Sequence, residues 1–419
     1  MDYMSELIIT KILVKKNRCE CVCSLPPEFT KYLKEQYKSM FFEVPETYDL
    51  GKVPPALLMV PFIGNMLPLA MFLGVKIKAP FLDANFYNAL PKIELAYRKM
   101  FPYLDLKISL DVSELITVSH DTQNKSLFFT GGLDATSALI ETVEQKPVLI
   151  NIWGGDIFIS DEDSHKSLEN YLSTLSQKLS TRYLFIKTNF REYYDEWPLQ
   201  CLLDEKIKKE DNHGWWASVS HILSMATTIA PVAFLEHIGE NYIGSSYNAK
   251  GTTFDANNDM MVQAITFASC HFTPIDSNYD RSAKAKKVVE YSKRTGMFFK
   301  LKVCWYRKAG ENCSNCEKCY RTILDIISSH GNPNDYGFCV TRKTLKKIRE
   351  FMTYSSLNEG FWCDIQNKFG EESSFWSSQK DMSWILKVKI NGISPMRLRL
   401  WNLKKRLERK ISKLLGVKV

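Results

Sequence analysis

At 419 residues the chain is long enough to bury a large core and to form two or three domains. Hydrophobic residues make up 45% and charged residues 24%, which excludes a disordered chain. The net charge of +8 sits in the last stretch: residues 395–419 hold nine Lys or Arg and one Glu, while the remainder balances 46 basic against 46 acidic residues, so composition gives no global argument for a nucleic-acid-binding body.

Met1 to Leu7 opens acidic and lacks the layout of a secretory signal. Eleven cysteines without an export signal imply a reducing, cytoplasmic setting, where clustered thiols suggest metal rather than disulfide. Two short strands are predicted at Leu7–Lys15 and Cys19–Ser24. Cys19, Cys21 and Cys23 alternate and therefore share a face, where packing in a sheet explains them better than metal. Ala56–Gly74 is the one long apolar run, but Pro61, Gly64, Asn65 and Pro68 interrupt it, and it reads as a buried helix broken near its middle. Pro91–Met100 reads as a helix with the proline at its first position, and Leu104–Leu110 and Glu114–Val118 as strands. Residues 1–120 are expected to form an N-terminal α+β domain of undisclosed chemistry.

From 121 to 335 strands and helices alternate. Leu127-Phe128-Phe129 runs into Thr130-Gly131-Gly132 and then the amphipathic Leu133–Ile140, the pattern of strand, tight loop and helix. Paired glycines permit a close backbone approach, and the N–H groups opening a helix form an anion site. Thr130 and Thr136 can add hydroxyl donors and Asp134 can take a phosphate-bound metal ion; an ordinary turn with Asp134 as a cap explains the same residues. Pro147–Trp153 and Tyr183–Lys187 read as strands, Leu168–Leu179 and Trp216–His237 as helices, and Tyr242–Tyr247 follows the second of these. This order predicts a doubly wound parallel sheet, with Gly131, Gly155 and Gly244 each just past a strand end, where ligands bind. Asp156 reads as a helix cap or loop carboxylate, and His213 is a candidate for the substrate side. Arg281 and Lys284 open a late helix, where a solvated charged face explains them.

Cys304, Cys313, Cys316 and Cys319 are spaced C-x8-C-x2-C-x2-C. Four soft ligands favour Zn²⁺ or an iron–sulfur cluster, and four thiolates around zinc leave no position for a catalytic water. Residues 336–419 read as a helical extension in which Trp362, Phe375, Trp376 and Trp384 pack inward. Its end, residues 397–415, is a basic amphipathic helix with Leu400, Leu403, Leu407, Ile411 and Leu414 on one side. An anionic membrane surface would suit it, RNA phosphate is the competing partner, and docking on its own protein explains the same pattern.

Thr130-Gly131-Gly132-Leu133-Asp134-Ala135 resembles the Ser-Gly-Gly-x-Asp-Ser loop of the PP-loop ATP pyrophosphatases, with Ala135 in place of the final Ser. The cysteine spacing, following such a loop, is similar to that of the 7-cyano-7-deazaguanine synthases, over about residues 125–330. The resemblance implies a PP-loop fold of the doubly wound α/β class, with ATP held by Thr130, Gly131, Gly132, Leu133, Asp134, Ala135, Thr136, Asp156 and Gly244. It also implies Mg²⁺ near Asp134, Arg281 or Lys284 toward the phosphates, and a structural zinc on the four cysteines. The implied activity is adenylation of a small-molecule or peptide carboxylate, followed by C–N bond formation with ammonia or an amine. Sulfur transfer to a tRNA base and a non-catalytic nucleotide-binding scaffold are the alternatives.

Overall fold

A computed structural model of the chain describes residues 5–246, 256–304, 306, 310–392, 394, 396, 398–401 and 403. The chain forms two compact units, Met1–Tyr279 and Asp280–Val419. Most of the expected 397–415 helix, and Tyr247, lie outside the described residues.

The first unit is an α/β structure around one eleven-stranded sheet. In chain order the strands are β1 (Glu6–Lys15), β2 (Arg18–Ser24), β3 (Phe41–Glu43), β4 (Lys76–Asp83), β5 (Leu110–Ile116), β6 (Asn124–Phe128), β7 (Val148–Trp153), β8 (Tyr183–Thr188), β9 (Ile238–Gly244), β10 (Thr266–Phe267) and β11 (Cys270–Ile275). Their spatial order is β10-β11-β9-β6-β7-β8-β3-β2-β1-β4-β5. Within it β11, β9, β6, β7 and β8 run parallel to one another, while β10 and β3 flank them antiparallel. Counted along the chain, these five strands lie in the order 3-2-1-4-5, compatible with a doubly wound fold whose direction of winding reverses between β6 and β9. β7 is buried through Val148–Ile152, as suits a strand covered on both faces. Residues 5–120 extend the same sheet: β3 joins β8 through Phe42–Thr188 and Glu43–Lys187, and β2, β1, β4 and β5 continue outward.

Several elements differ from the sequence reading. The apolar run forms one unbroken helix, Pro55–Leu73, with Pro61 and Pro68 inside it. Every residue from Ala56 to Phe72 is buried. The burial of so many apolar groups outweighs a proline penalty of about 3 kcal/mol each. The next helix is Ala84–Met100, so Pro91 is internal and not its first residue; Asp83 caps it by accepting from the Phe86 N–H at 2.9 Å. Residues 104–109 are not a strand, and Leu110–Ile116 forms a single one. The expected long helix splits into a π-helical turn, Trp216–Ser220, and helices His221–Thr228 and Ala230–Leu235. Pro55–Leu73 and Trp216–Leu235 are long and apolar enough to cross a membrane by length and composition, and both are largely buried within the protein. Cys19 and Cys21 pack in the core, where burial pushes the Cys19 thiol up to about 12.

The second unit is mainly helical: Arg281–Thr295, Glu317–Ser328, Arg342–Tyr354, Glu359–Glu371 and Ser373–Ser378. Trp362, Trp376 and Trp384 are buried, whereas Phe375 is exposed. Phe351 packs between Tyr320 and Trp362, at ring separations of 5.4 and 5.8 Å.

The boundary also revises the charge argument. Met1–Tyr279 holds 25 Lys or Arg against 34 Asp or Glu, and Asp280–Val419 holds 30 against 13. The apparent neutrality outside residues 395–419 is a cancellation between an acidic unit and a basic one.

Candidate functional site: a glycine-loop crevice and a thiol cluster

The buried end of β6 delivers the chain to Thr130-Gly131-Gly132 beside the winding reversal. Gly131 has φ +73°, a conformation a Cβ would strain. Gly132 precedes the helix Leu133–Thr142 in extended conformation, and no side chain caps that helix. Its first-turn N–H groups and the positive end of its dipole are set out as in an anion site, with Asp134 in the first turn. β9 ends on the same turn: a Cβ on Gly244 would lie 2.5 Å from the Asp134 carbonyl oxygen and 2.9 Å from the Ala135 nitrogen. Gly244 therefore permits a backbone-to-backbone approach that no other residue allows.

The hydroxyls around this loop have distinct tasks. Thr130 Oγ1 faces the Gly132 N–H at 3.4 Å, a long and weak contact. Thr136 is wholly buried, and its hydroxyl donates to the Gly132 carbonyl at 2.8 Å, serving the helix. Ser137 donates to Asp276 at 2.5 Å, tying the helix to the end of β11, where Asp276 holds a left-handed φ of +62°.

A second cluster follows β7 and β8. Asp156 accepts from Trp216 Nε1 at 3.1 Å and lies 3.6 Å from His221 Nε2. His221 Nδ1 is hydrogen-bonded to the Asn257 side-chain oxygen, and the other ring nitrogen, Nε2, faces Asp156. Arg191 donates to the Gly155 carbonyl at 3.1 Å and to Glu196 at 3.0 and 3.1 Å. Its guanidinium stands 4.8 Å from the Phe158 ring and 5.0 Å from Trp216. A pocket of about 320 Å³, counting the space at its open mouth, is lined by Asn65, Arg191, Tyr194, Trp215, Trp216 and Ser224, among others. Asn65 comes from the Pro55–Leu73 helix, so the N-terminal region contributes to this wall.

The sequence reading reached Asp156 but not Arg191, His221 or Asn257. Arg191 stands three residues past β8, at the carboxyl end of a parallel strand, and that placement was the available signal. The π-helical turn delivering Trp216 toward Asp156 is not visible in periodicity, though such turns collect at functional positions. His213, the histidine preferred from sequence, is exposed.

Arg281 and Lys284 belong to the second unit, on its helix Arg281–Thr295. Lys284 is buried, and Ser282 donates to the buried carboxylate of Asp325 at 2.6 Å. Burial, set against the charges of Arg281 and Arg321, raises Asp325 from 3.8 to about 6.

In the same unit the thiols of Cys304, Cys313, Cys316 and Cys319 lie within 4.8 Å of one another, the one such group among the described residues that could hold a metal. Cys304 and Cys316 sulfurs are 3.9 Å apart, as are those of Cys313 and Cys319. Four ligands at about 2.3 Å in a tetrahedron stand roughly 3.8 Å from one another, so the spacing fits a metal such as zinc. Backbone N–H groups of Tyr306 and Cys313 point at Cys304 Sγ, at 3.2 and 3.4 Å, and that of Asn315 points at Cys313 Sγ at 3.4 Å. Asn312 holds the loop by accepting from the Val303 and Cys304 N–H groups and donating to Leu301 and Gly337 carbonyls. Burial, then the neighbouring sulfurs, pushes the Cys313 thiol up to about 11; a hydrogen bond with Cys316, then burial, raises Cys319 as well. A bound cation reverses that balance by stabilising thiolates.

Compared with protein-family models, curated proteins and solved structures, the chain matches none of them.

Proposed function

We propose that the chain is an ATP-dependent ligase of the PP-loop type, resembling the 7-cyano-7-deazaguanine synthases, which adenylates a carboxylate and then forms a C–N bond. One observation carries the reading: Thr130-Gly131-Gly132 opens an uncapped helix at the winding reversal, and Gly244 brings β9 against its first turn. ATP phosphates would lie along Gly131, Gly132, Leu133 and Ala135, with Mg²⁺ beside Asp134 to offset phosphate charge. A carboxylate oxygen attacks the α-phosphorus and pyrophosphate leaves; helix N–H groups stabilise the charge that accumulates on it. Ammonia or an amine then attacks the acyl carbon, AMP departs, and the nitrogen loses a proton. Arg191 borders the neighbouring pocket and suits a carboxylate there, and Asp156 accepts from Trp216 of the same lining. Zinc on the four cysteines would be structural, since no coordination position remains for water. Ala135 supplies no hydroxyl, and the Thr136 hydroxyl is committed to Gly132, so the phosphate contacts rest on backbone groups.

A second reading, adenylation of an RNA base followed by sulfur transfer, is favoured by the basic second unit. The test is product analysis with metal-replete protein, Mg²⁺, α-labelled ATP, ammonium and a pool of carboxylates, with Asp134→Ala as control. AMP and pyrophosphate lost in the control support ligation. Labelled AMP that requires RNA and a sulfur donor selects the second reading. ATP binding without AMP across a whole-cell extract would leave a nucleotide-binding scaffold.

A further inference from the structure

We propose that the second unit docks the phosphate backbone of a nucleic acid on the outer face of the helix Arg342–Tyr354. Arg342, Lys343, Lys346, Lys347 and Arg349 are all exposed, five cations within eight residues. Ile348 and Met352, one turn apart, are its buried residues, so the helix spends its apolar side on its own core. Thr341 and Thr344 form a reciprocal capping box that fixes its start, and Phe351 is held between Tyr320 and Trp362. The cationic face is thus presented on a rigid element. Lys347 Nζ also donates to the Asn315 side chain at 3.2 Å, which joins the face to the loop between Cys313 and Cys316.

Among the described residues, no carboxylate pairs with Lys343, Lys346 or Arg349, and Arg342 meets Asp381 only in an exposed contact of 3.4 Å. Such a face attracts a polyanion, and its own unit carries 30 basic against 13 acidic residues. Trp401 stacks on Tyr354 at 4.8 Å. A membrane-lying helix needs large apolar residues facing outward, and here that side is turned inward. Glu350 is the one carboxylate on this helix against five exposed cations, and phosphate on a nucleic-acid strand is the ligand that so strongly cationic a face fits. The inference holds whichever chemistry the glycine loop performs.

The test uses full-length, metal-loaded protein. Fluorescence anisotropy measures binding to a short RNA hairpin and to a DNA duplex over about 50 to 200 mM salt. Vesicles containing phosphatidylserine form a third arm. The variant Lys343→Ala/Lys346→Ala/Arg349→Ala is expected to bind nucleic acid at least about 10-fold more weakly, and the slope of log affinity against log salt to fall by about 2 to 3. Metal content and melting temperature should not move, and Lys343→Arg/Lys346→Arg should bind as the parent does. RNA and DNA arms show which strand is preferred, and binding of either supports the proposal. It is overturned if the parent binds neither, if the triple variant binds equally well, or if vesicles are bound more tightly with the same dependence on these residues.

Discussion

The glycine loop and the cysteine loop have the same local plan and opposite means of support. Each turns through a left-handed residue, Gly131 or Ser314, and enters a helix whose cap, Gly132 or Cys316, is extended and makes no side-chain capping bond. The first is held by backbone from a distant strand, through Gly244 of β9 and the bond from Ser137 to Asp276. The second is held by its own thiols and by Asn312, all within a short stretch of chain. A loop braced by non-local backbone is preorganised without a ligand. In the second, burial and neighbouring sulfurs raise the Cys313 and Cys319 thiols, a balance that a bound cation would reverse.

The largest effect expected from that difference is metal removal. Chelation, or Cys316→Ser, should abolish tight zinc binding, whose apparent value in small zinc modules is about 10–16 kcal/mol. Calorimetry with metal analysis should show the second unit melting far earlier while a transition from the first persists. A metal-free protein with an unchanged melting profile would break the comparison. Asp325 sharpens it within the same unit. Its carboxyl is raised from 3.8 to about 6, chiefly by burial, so the folded state holds the proton more tightly than the unfolded chain. Its contribution is full below the unfolded value and is lost as pH rises through about 6, a decline of about 3 kcal/mol. Denaturant unfolding of the parent and Asp325→Asn at pH values across that window isolates this slope as the difference between them. Equal slopes would mean that Asp325 titrates normally.

Gly244→Ala attacks the other loop. The added methyl meets backbone at 2.5 Å, and the displacement of β9 or the helix should cost about 1–3 kcal/mol. It should weaken nucleotide binding, read by calorimetric titration, and leave metal content alone. The asymmetry in support also explains what could be read in advance. Cysteine ligands adjacent in the chain are legible as spacing, and the strand–loop–helix pattern at Leu127–Ile140 is legible as a change of period. Gly244 could be placed past a strand end, but not against Asp134, because that depends on strand order. Proline suggested a break in Pro55–Leu73 because local propensity does not include the burial that overrides it. The charge division was hidden because the last stretch was separated from the rest, when the physical boundary lies at 279/280.

The smallest effect on stability, and the sharpest on function, is expected at Arg191. Its partner Glu196 is exposed, so losing that ion pair should cost less than about 1 kcal/mol. The guanidinium is nevertheless fixed in three ways: by the Gly155 carbonyl, by Glu196, and by the Phe158 and Trp216 rings. A planar cation so held can offer a bidentate face to a carboxylate, which an ammonium cannot reproduce. Arg191→Lys should therefore preserve folding and ATP binding while raising the carboxylate KM at least about 10-fold, a difference of about 1.4 kcal/mol. Arg191→Ala should do the same or more. If both variants keep the parent KM and lose stability instead, Arg191 is a brace for the Gly155 turn, and the pocket beside it does not bind the substrate through this residue.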